Sequence, residues 1–168
     1  MVVLGAVKDR MDDLKKRMLE EIEKLEHELR VELPKEILKA RAHGDLSENA
    51  EFHAAKERQR YVDARLSKMK LRLAELSLVD LSKIPRDRVG LGSKVVLLDL
   101  NKNEEIRYRL VASEESDVSN GLISTSSPIG KGMLGKKVGD EVTIPSPGGQ
   151  RKFEILELTT IHDVTDAE

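Results

Sequence analysis

The spacing of apolar residues in the first half of the chain constrains the fold more than any other feature. Between residues 11 and 40, apolar side chains recur every three or four positions, and between residues 52 and 76 the steps of three and four alternate. The second series is a heptad seam with one polar position, Gln59. The spacing predicts two long amphipathic helices, each of about 30 residues and on the order of 45–50 Å long.

A short connection near Gly44 predicts that these helices fold back on each other as an antiparallel hairpin. Pro34 is the one irregular position in the first helix. A proline inside a helix lacks the N–H group for a backbone hydrogen bond, and its ring crowds the preceding turn. We therefore expect a bend or a break at Pro34.

The chain changes character near Pro85. Gly44 is the only glycine between residues 9 and 76, and nearly all the others follow residue 89. Apolar or alternating runs predict strands at 94–100, 105–111, 121–124, 142–145 and 152–160, with a brief helix at 128–134. We expect an α+β protein in which residues 1–84 form the helical hairpin and residues 85–168 form a domain of short antiparallel strands.

Charge and composition exclude several classes of protein. The chain has 29 Lys and Arg against 31 Asp and Glu, so it is not basic enough to hold nucleic acid by bulk electrostatics. It has no cysteine, which excludes disulfides, thiolate metal sites and a cysteine nucleophile. No apolar run approaches the roughly 20 residues that span a bilayer, and no basic segment precedes the apolar start. We expect a cytoplasmic monomer without a membrane partner.

The hairpin turn concentrates candidate functional residues. Gly44 suits the end of the first helix, because the left-handed conformation found there favours glycine. Asp45 then falls at the N-cap of the second helix and Glu48 three residues later, which is the spacing of a capping box. One interpretation is that both carboxylates serve only the helix end. The other is that they complete a Mg²⁺ site on a partner, since Mg²⁺ is often held by one or two carboxylates with phosphates and waters. The two interpretations are compatible, because a capping carboxylate still has free lone pairs.

Residues 40–56, ARAHGDLSENAEFHAAK, resemble the hairpin-tip signature of the bacterial Gre transcript-cleavage factors of the GreA type. Segments 126–130, 134–136, 139–142 and 147–149 resemble the C-terminal domain of the same family. The resemblance covers nearly the whole chain. One departure is the stretch LPKE at residues 33–36, which replaces the Arg-Pro-Glu of many members.

The resemblance implies a coiled-coil hairpin followed by an FKBP-like domain. It implies a transcription elongation factor that docks on RNA polymerase and inserts the hairpin into the secondary channel. There, Asp45 and Glu48 would help hold a Mg²⁺ ion shared with the polymerase active centre, and the polymerase would cut backtracked nascent RNA. The factor would activate a nuclease without being an enzyme, and it would bind no metal tightly by itself.

Two other groups of residues have both a structural and a functional interpretation. The segment Ser127, Pro128, Ile129 and Gly130 is typical of a turn before a short helix, whereas the resemblance makes it part of the docking surface, with an exposed isoleucine as a small apolar anchor. The basic side chains near the tip either form ion pairs on a solvated helix face or contact phosphates at the nascent RNA 3′ end. They are Arg41, Lys56, Arg58 and Arg60.

Four alternatives remain open at this stage. His43 and His53 could form a zinc site with Glu57, but no cysteine or third clustered histidine supports it. A peptidyl-prolyl isomerase would need more aromatics than Tyr108 and Phe153. A regulator that blocks the channel without promoting cleavage should differ in its tip acids, and a plain coiled-coil adaptor would tolerate neutral residues there.

Overall fold

The computed structural model describes residues 2–45 and 49–163. The chain forms two compact units. One comprises Arg10–Val79, and the other is built on the chain from Asp80 onward together with the N-terminal stretch up to Asp9. Within the described residues, no helix combines the length and the apolar character that crossing a membrane requires.

The first unit is a helical hairpin. Its elements are α1 (Val2–His27), which belongs to this unit from Arg10 onward, a π-helical turn (Glu28–Glu32), α2 (Leu33–Arg41) and α3 (Ala50–Ser77). Most of the side chains that the apolar spacing assigns to the seam are buried, and Leu29, Phe52 and Leu73 are half-buried, which confirms the predicted hairpin. The buried ones are Met11, Leu14, Met18, Ile22, Leu25, Leu33, Ile37 and Ala40 on the first arm, and Ala55, Val62, Leu66, Met69 and Leu76 on the second.

The helix does not break at Pro34. The two residues before the proline keep right-handed helical backbone angles, with φ −74° and ψ −54° at Glu32 and φ −61° and ψ −41° at Leu33. The Leu33 N–H donates to the carbonyl oxygen of Glu28, five residues back, as in a π-helix. The wider turn ends directly before the proline, where an α-helix would press the ring against the preceding turn.

The seam of the first arm explains why an extra residue is needed at this point. From Leu25 the seam takes three successive steps of four residues, through Leu29 and Leu33 to Ile37. The facing seam on α3 alternates three and four throughout. A step of four in place of three adds one residue to the first arm relative to the facing seam. A π turn accommodates one extra residue, so that the helix after it keeps its apolar side toward α3. Leu33 and Ile37 therefore stay buried.

The second unit is a five-stranded sheet with a short helix. Its strands are β1 (Lys94–Asp99), β2 (Glu104–Val111), β3 (Leu122–Ser124), β4 (Glu141–Ser146) and β5 (Gly149–Thr159), and the helix α4 is Pro128–Met133. The strand order is β3-β2-β1-β5-β4. Each predicted strand and the predicted helix are present within a few residues of their expected bounds.

One pairing differs from the all-antiparallel expectation. β3 runs parallel to β2, with Arg109 level with Leu122, and the other three pairings are antiparallel. The chain between β2 and β3 contains two 3₁₀ turns, Ser113–Glu115 and Val118–Asn120. A connection of this length carries the chain back along the sheet, which a tight hairpin turn cannot do. The sheet is therefore mixed.

The core of the second unit lies between α4 and one face of the sheet. Its buried members are Val89, Val95, Leu97, Leu110, Ile123, Met133, Val142, Ile144, Phe153 and Ile155. The helix approaches β3 so closely that a side chain at Gly130 would collide with the carbonyl oxygen of Ser124. Glycine at position 130 is thus a packing requirement of the 127–130 segment.

Candidate functional site: the tip of the helical hairpin

The first arm ends in a tightened turn. The Ala42 N–H donates to the Lys39 carbonyl oxygen at 3.2 Å, and the His43 N–H donates to the Ala40 carbonyl oxygen at 3.1 Å. Gly44 follows with φ of +121°, in the region that favours glycine. A side chain added there would meet no described atom within 4 Å. The backbone conformation, and not crowding, therefore requires glycine, as the sequence predicts.

Asn49 caps the second arm. Asn49 lies one residue before the start of α3 at Ala50, and its Oδ1 accepts the Phe52 N–H at 3.0 Å. Its Nδ2 donates to the Ala40 carbonyl oxygen at 2.6 Å, across the turn. The prediction that Asp45 is the N-cap is wrong: asparagine supplies an acceptor to one helix and a donor to the other, and an ionised aspartate can only accept. The other member of the predicted capping box, Glu48, lies outside the described residues.

Asp45 is exposed on the turn, directly after Gly44 and four residues before the cap. Capping of α3 therefore does not account for a carboxylate at this position. The carboxylate projects from the stretch that joins the two arms, whose ends are linked by the hydrogen bond from Asn49 to Ala40. The turn places a negative charge at the extremity of a long helical rod.

The donor chemistry of the tip fits Mg²⁺ better than zinc. Asp45 and Glu48 offer carboxylate oxygens, which are hard ligands of the kind that Mg²⁺ takes in small numbers alongside phosphates and water. The described residues contain no group of three or more His, Asp or Glu side chains that could hold a metal ion. His53 instead stands edge-on to the Phe52 ring, at a centroid distance of 5.7 Å.

Arg58 spans the two arms of the hairpin. Its Nε and Nη2 donate to the two carboxylate oxygens of Glu28 at 2.6 and 2.9 Å. The hydrogen bonding from Arg58 holds the pKa of Glu28 below its ordinary value. The guanidinium carbon also lies 5.2 Å from the centre of the Tyr61 ring. Arg58 thus links α3 to the π turn of the first arm.

The other basic candidates have separate surroundings. Lys56 Nζ donates to Gln59 Oε1 at 3.0 Å, so it covers the polar position of the seam. The Arg41 guanidinium carbon lies 5.8 Å from the centre of the Phe52 ring. Arg60 is exposed on the second arm. These contacts differ from one another, and the four cations do not share one set of partners.

Ion pairs between the arms are a feature that sequence reasoning missed. Besides Arg58 and Glu28, they include Arg65 with Glu21 at 3.0 Å and Lys70 with Glu26 at 2.5 Å. The basic side chains near the tip were expected to form ion pairs with residues four positions away on the same helix. Partners on opposite arms depend on the register of the hairpin, for which the local spacing carries no signal. Because the basic partners are exposed and the glutamates are only half-buried, each pair contributes little to stability and serves mainly to favour this register.

The 127–130 segment begins a helix, as expected. The Ser127 hydroxyl donates to the Ser124 carbonyl oxygen at 2.7 Å and accepts the Gly130 N–H at 3.1 Å, so Ser127 is the N-cap of α4. Pro128 is exposed at the first helical position, where proline is favoured. Ile129 is half-buried and packs against the core. The expectation of an exposed isoleucine anchor is therefore corrected, because α4 turns that side chain toward the sheet.

A cluster of serine hydroxyls supports this segment and was also missed. Ser113 Oγ lies 2.9 Å from Ser124 Oγ and 2.8 Å from Ser126 Oγ, and the last two are 2.7 Å apart. The cluster links the start of the 3₁₀ turn after β2 to the loop that leads into α4. Only the fold brings these positions together, because Ser113 is eleven residues from Ser124.

Comparison with known proteins follows the same two-part division. Residues 12–77 match the family described as "Transcription elongation factor, N-terminal", and residues 84–160 match "Transcription elongation factor, GreA/GreB, C-term". The chain is 48% identical over 142 residues to the protein named "Transcription elongation factor GreA" from a Nitratiruptor species, across 83% of this chain and 87% of that protein. This chain belongs to the GreA/GreB family of transcription elongation factors.

Other GreA/GreB proteins give a similar picture. The "Transcription elongation factor GreA" of Haemophilus influenzae is 42% identical over 146 residues, across 86% of this chain and 92% of its own length. Among solved structures, GreA factor homolog 1 (Gfh1) of Thermus thermophilus is 28% identical, with a TM-score of 0.40 over 87% of this chain and 94% of that chain. The N-terminal family region contains the whole tip, and the C-terminal region contains all five strands.

Proposed function

We propose that this GreA/GreB-family factor binds bacterial RNA polymerase and stimulates the endonucleolytic cleavage of backtracked nascent RNA, which rescues arrested elongation complexes. The sheet unit would dock on the polymerase through the segment around Ser127 and Pro128. The hairpin would enter the secondary channel and present its tip to the active centre. The nuclease activity belongs to the polymerase, and the factor acts as its activator.

The observation that supports this proposal most directly is the identity of the helix cap. Asn49 performs the capping that the sequence had assigned to Asp45. Asp45 is therefore not the cap of α3, and its carboxylate is exposed at the tip. An exposed carboxylate at this position suits a residue that supplies an oxygen ligand in trans to a metal ion at the polymerase active centre.

The contacts around the turn suit a group that must be positioned accurately. The bridge from Asn49 to Ala40 joins the two helix ends, and the conformation of Gly44 sets the direction in which the chain leaves the first arm. The pair between Arg58 and Glu28 adds a second link between the arms. Holding a reacting group in place before the reaction is a large part of catalysis. In this proposal, the hairpin does that for Asp45 and Glu48.

Asp45 and Glu48 would hold Mg²⁺ together with ligands of the polymerase, where the ion would stabilise negative charge and help to activate water. The task of the two tip acids is to provide oxygen ligands, which Mg²⁺ prefers. Arg41, Lys56 and Arg60 are the candidates for contact with phosphates of the displaced RNA 3′ end. Arg58 is the weakest candidate for a phosphate contact, because its guanidinium group already donates to the Glu28 carboxylate.

The first prediction tests the tip carboxylates. Asp45→Asn and Glu48→Gln each remove a negative charge with little change in size. Incubated with stalled, backtracked elongation complexes, each variant should stimulate RNA cleavage at least about tenfold less than the wild type, because the loss of a charged ligand weakens ion binding. Added Mg²⁺ should restore part of the activity. Asp63→Asn, an exposed site on α3 away from the tip, is the matched control and should stay active.

Folding and docking are measured on the same variants. Helical circular dichroism and competition with wild type for polymerase should both be unchanged, which places the defect in the stimulated reaction. Full cleavage activity of both tip variants would overturn the proposal. So would dose-dependent cutting of labelled RNA by the purified factor without polymerase. A wild-type factor that binds polymerase and leaves the RNA uncut would indicate a regulator that only occupies the channel.

A further inference from the structure

A cationic cleft lies on the face of the sheet opposite the core. In β1 the core residues alternate with Lys94 and Val96, which point to the other face. The cleft has a volume of about 570 Å³ and extends from β5 across β1 and β2 to the loop before β3. Its charged lining residues are Lys94, Arg107, Arg109 and Glu157. Three cations thus share the cleft with one carboxylate.

The register of the sheet brings these cations together. Lys94 is directly opposite Arg109, and Val96 is directly opposite Arg107 and on its other side pairs with Glu157. The surrounding sequence is acidic, since residues 85–168 contain 11 Lys and Arg against 14 Asp and Glu. A local concentration of positive charge in an acidic domain indicates a binding surface.

We propose that this cleft binds a short acidic segment of a partner protein, in extended conformation, through carboxylates at alternate positions. Arg107 and Arg109 lie on one face of β2, two residues and so about 7 Å apart. Alternate side chains of an extended peptide have the same spacing. The exposed guanidinium group of Arg107 suits this ligand because its fork of N–H donors matches the two oxygens of a carboxylate, and the half-buried Arg109 adds positive charge beside it. Val96 and Leu122 supply an apolar floor.

The rim of the cleft is built by a close backbone approach. Gly121 has φ of +73°, and its carbonyl oxygen accepts the Arg109 N–H at 2.8 Å. A side chain at this glycine would lie 2.9 Å from the Arg107 carbonyl oxygen. The loop before β3 is therefore held against β2, level with the two arginines. This contact gives the cleft a defined wall beside its cations.

Two observations favour a protein ligand over nucleic acid. Surfaces that bind single strands usually combine cations with aromatic rings on which bases stack. The one aromatic residue along this cleft is Tyr108, and its side chain packs against the core. In addition, a domain with net negative charge lacks the long-range attraction that holds a polyanion. A few carboxylates recognised at short range are compatible with both facts.

The inference is independent of the proposed role in RNA cleavage, and it is tested on the full chain in solution. The probe is an acetylated, amidated hexapeptide that alternates glutamate and alanine, with the glutamine–alanine peptide as its matched control. Isothermal titration and amide chemical shifts should show saturable binding of the acidic peptide alone, with shifts at Gly121 and Leu122. Affinity should fall as salt increases, since charge pairs at a surface are screened.

Variants locate the binding and test its geometry. Arg107→Ala should raise Kd for the acidic peptide about tenfold, and Arg107→Lys should recover only part of the loss because lysine lacks the fork. Lys102→Ala, a change of an exposed cation elsewhere in the same unit, should bind like the wild type. Arg107 is exposed, so its replacement should leave the thermal unfolding midpoint unchanged.

Three results would each overturn the proposal. The first is the absence of saturable binding at millimolar acidic peptide. The second is equal binding by the glutamine peptide or by Arg107→Ala. The third is tighter, competing binding of either inorganic phosphate or a short oligoribonucleotide, which would assign the cleft to a phosphate ligand.

Discussion

Asn49 shows how one side chain can organise a turn between two long helices. Its oxygen caps α3, and its nitrogen binds the carbonyl of Ala40 near the end of the first arm. Both ends of a helix have backbone groups without intrahelical partners, and the carboxamide supplies one partner to each. At the residue scale, the cap of α3 and the candidate metal ligand Asp45 are therefore two different residues.

Substitution of Asn49 separates its two hydrogen bonds. Asn49→Asp keeps the cap, because Asp and Asn are about equally good at this position, but loses the donor to Ala40. It should lower the free energy of unfolding by about 1 kcal/mol. Asn49→Ala loses both bonds and should cost about 2 kcal/mol. Urea unfolding followed by helical circular dichroism measures both. A stability of Asn49→Asp equal to that of the wild type would show that the bridge across the turn contributes nothing.

At the scale of elements, the π turn reconciles two seams of different period. The first arm takes three steps of four residues where the facing helix alternates three and four. The extra residue is absorbed between Glu28 and Glu32, and Leu33 returns to the interface almost fully buried. Pro34 follows at the point where a wider turn relieves its ring. The irregularity therefore keeps the hairpin in phase up to the tip.

Deleting one residue should have opposite effects inside and outside this turn. Deletion of the exposed Val31 should convert the π turn into an α turn and keep Ile37 in the seam, with a change in unfolding midpoint of only a few degrees. Deletion of the exposed Glu23 in α1 rotates every later residue of that arm by about 100°. It should remove Leu33 and Ile37 from the interface and abolish cooperative melting of the hairpin in circular dichroism.

The comparison between the two deletions is the measurement that matters, because each removes one exposed residue from the same arm. If both deletions melt alike, the extra residue is not what the π turn accommodates. Melting curves of Pro34→Ala provide an internal check. That variant retains the extra residue, so its seam should remain buried and its melting should remain cooperative.

At the scale of the whole molecule, carboxylates with lowered pKa values are concentrated in the sheet unit. Asp99 is fully buried and accepts hydrogen bonds from Arg151 Nη2 at 2.8 Å and from the Asn101 N–H at 2.9 Å. Arg151 is the main reason why the pKa of Asp99 is lowered. Arg88 first, and Lys137 second, lower the pKa of Asp87 to about 2. Both carboxylates bind protons less readily in the folded state than in the unfolded chain.

These shifts predict the direction of the pH dependence. The contribution of each carboxylate is fully present above its unfolded pKa of about 3.9 and is lost as pH falls toward the folded value. The urea midpoint of the sheet unit should therefore fall steadily between about pH 5 and pH 2. In Asp99→Asn, the midpoint should be lower at neutral pH and should depend less on pH. A wild-type midpoint that is constant down to pH 2 would contradict this account.

The two tyrosines allow this measurement to be made in each unit. The chain has no tryptophan, and its tyrosines are Tyr61 on α3 and Tyr108 on β2. In a Tyr61→Phe background, the fluorescence of Tyr108 reports the sheet unit alone. Asp63→Asn in that background is the control. It should give the sheet unit the same pH dependence of the urea midpoint as Tyr61→Phe alone.

Several features of this protein are determined by the sequence because their causes are local. The seam of the hairpin follows from helical periodicity, and the strands follow from alternation between turn residues. Glycine at position 44 follows from a backbone angle that other residues resist. The tip acids were recognisable as candidates from residues 40–56 alone, although their contacts were not.

Only the tertiary structure decided the features that depend on residues far apart in the chain. Asn49 displaced Asp45 as the cap because it also reaches Ala40, nine residues away. Arg58 found Glu28 across the hairpin, thirty residues away, and not a neighbour on its own helix. β3 runs parallel to β2 because the connection between them returns the chain along the sheet before β3 begins. Local periodicity indicates which side of an element is apolar, and the packing of distant elements decides what that side meets.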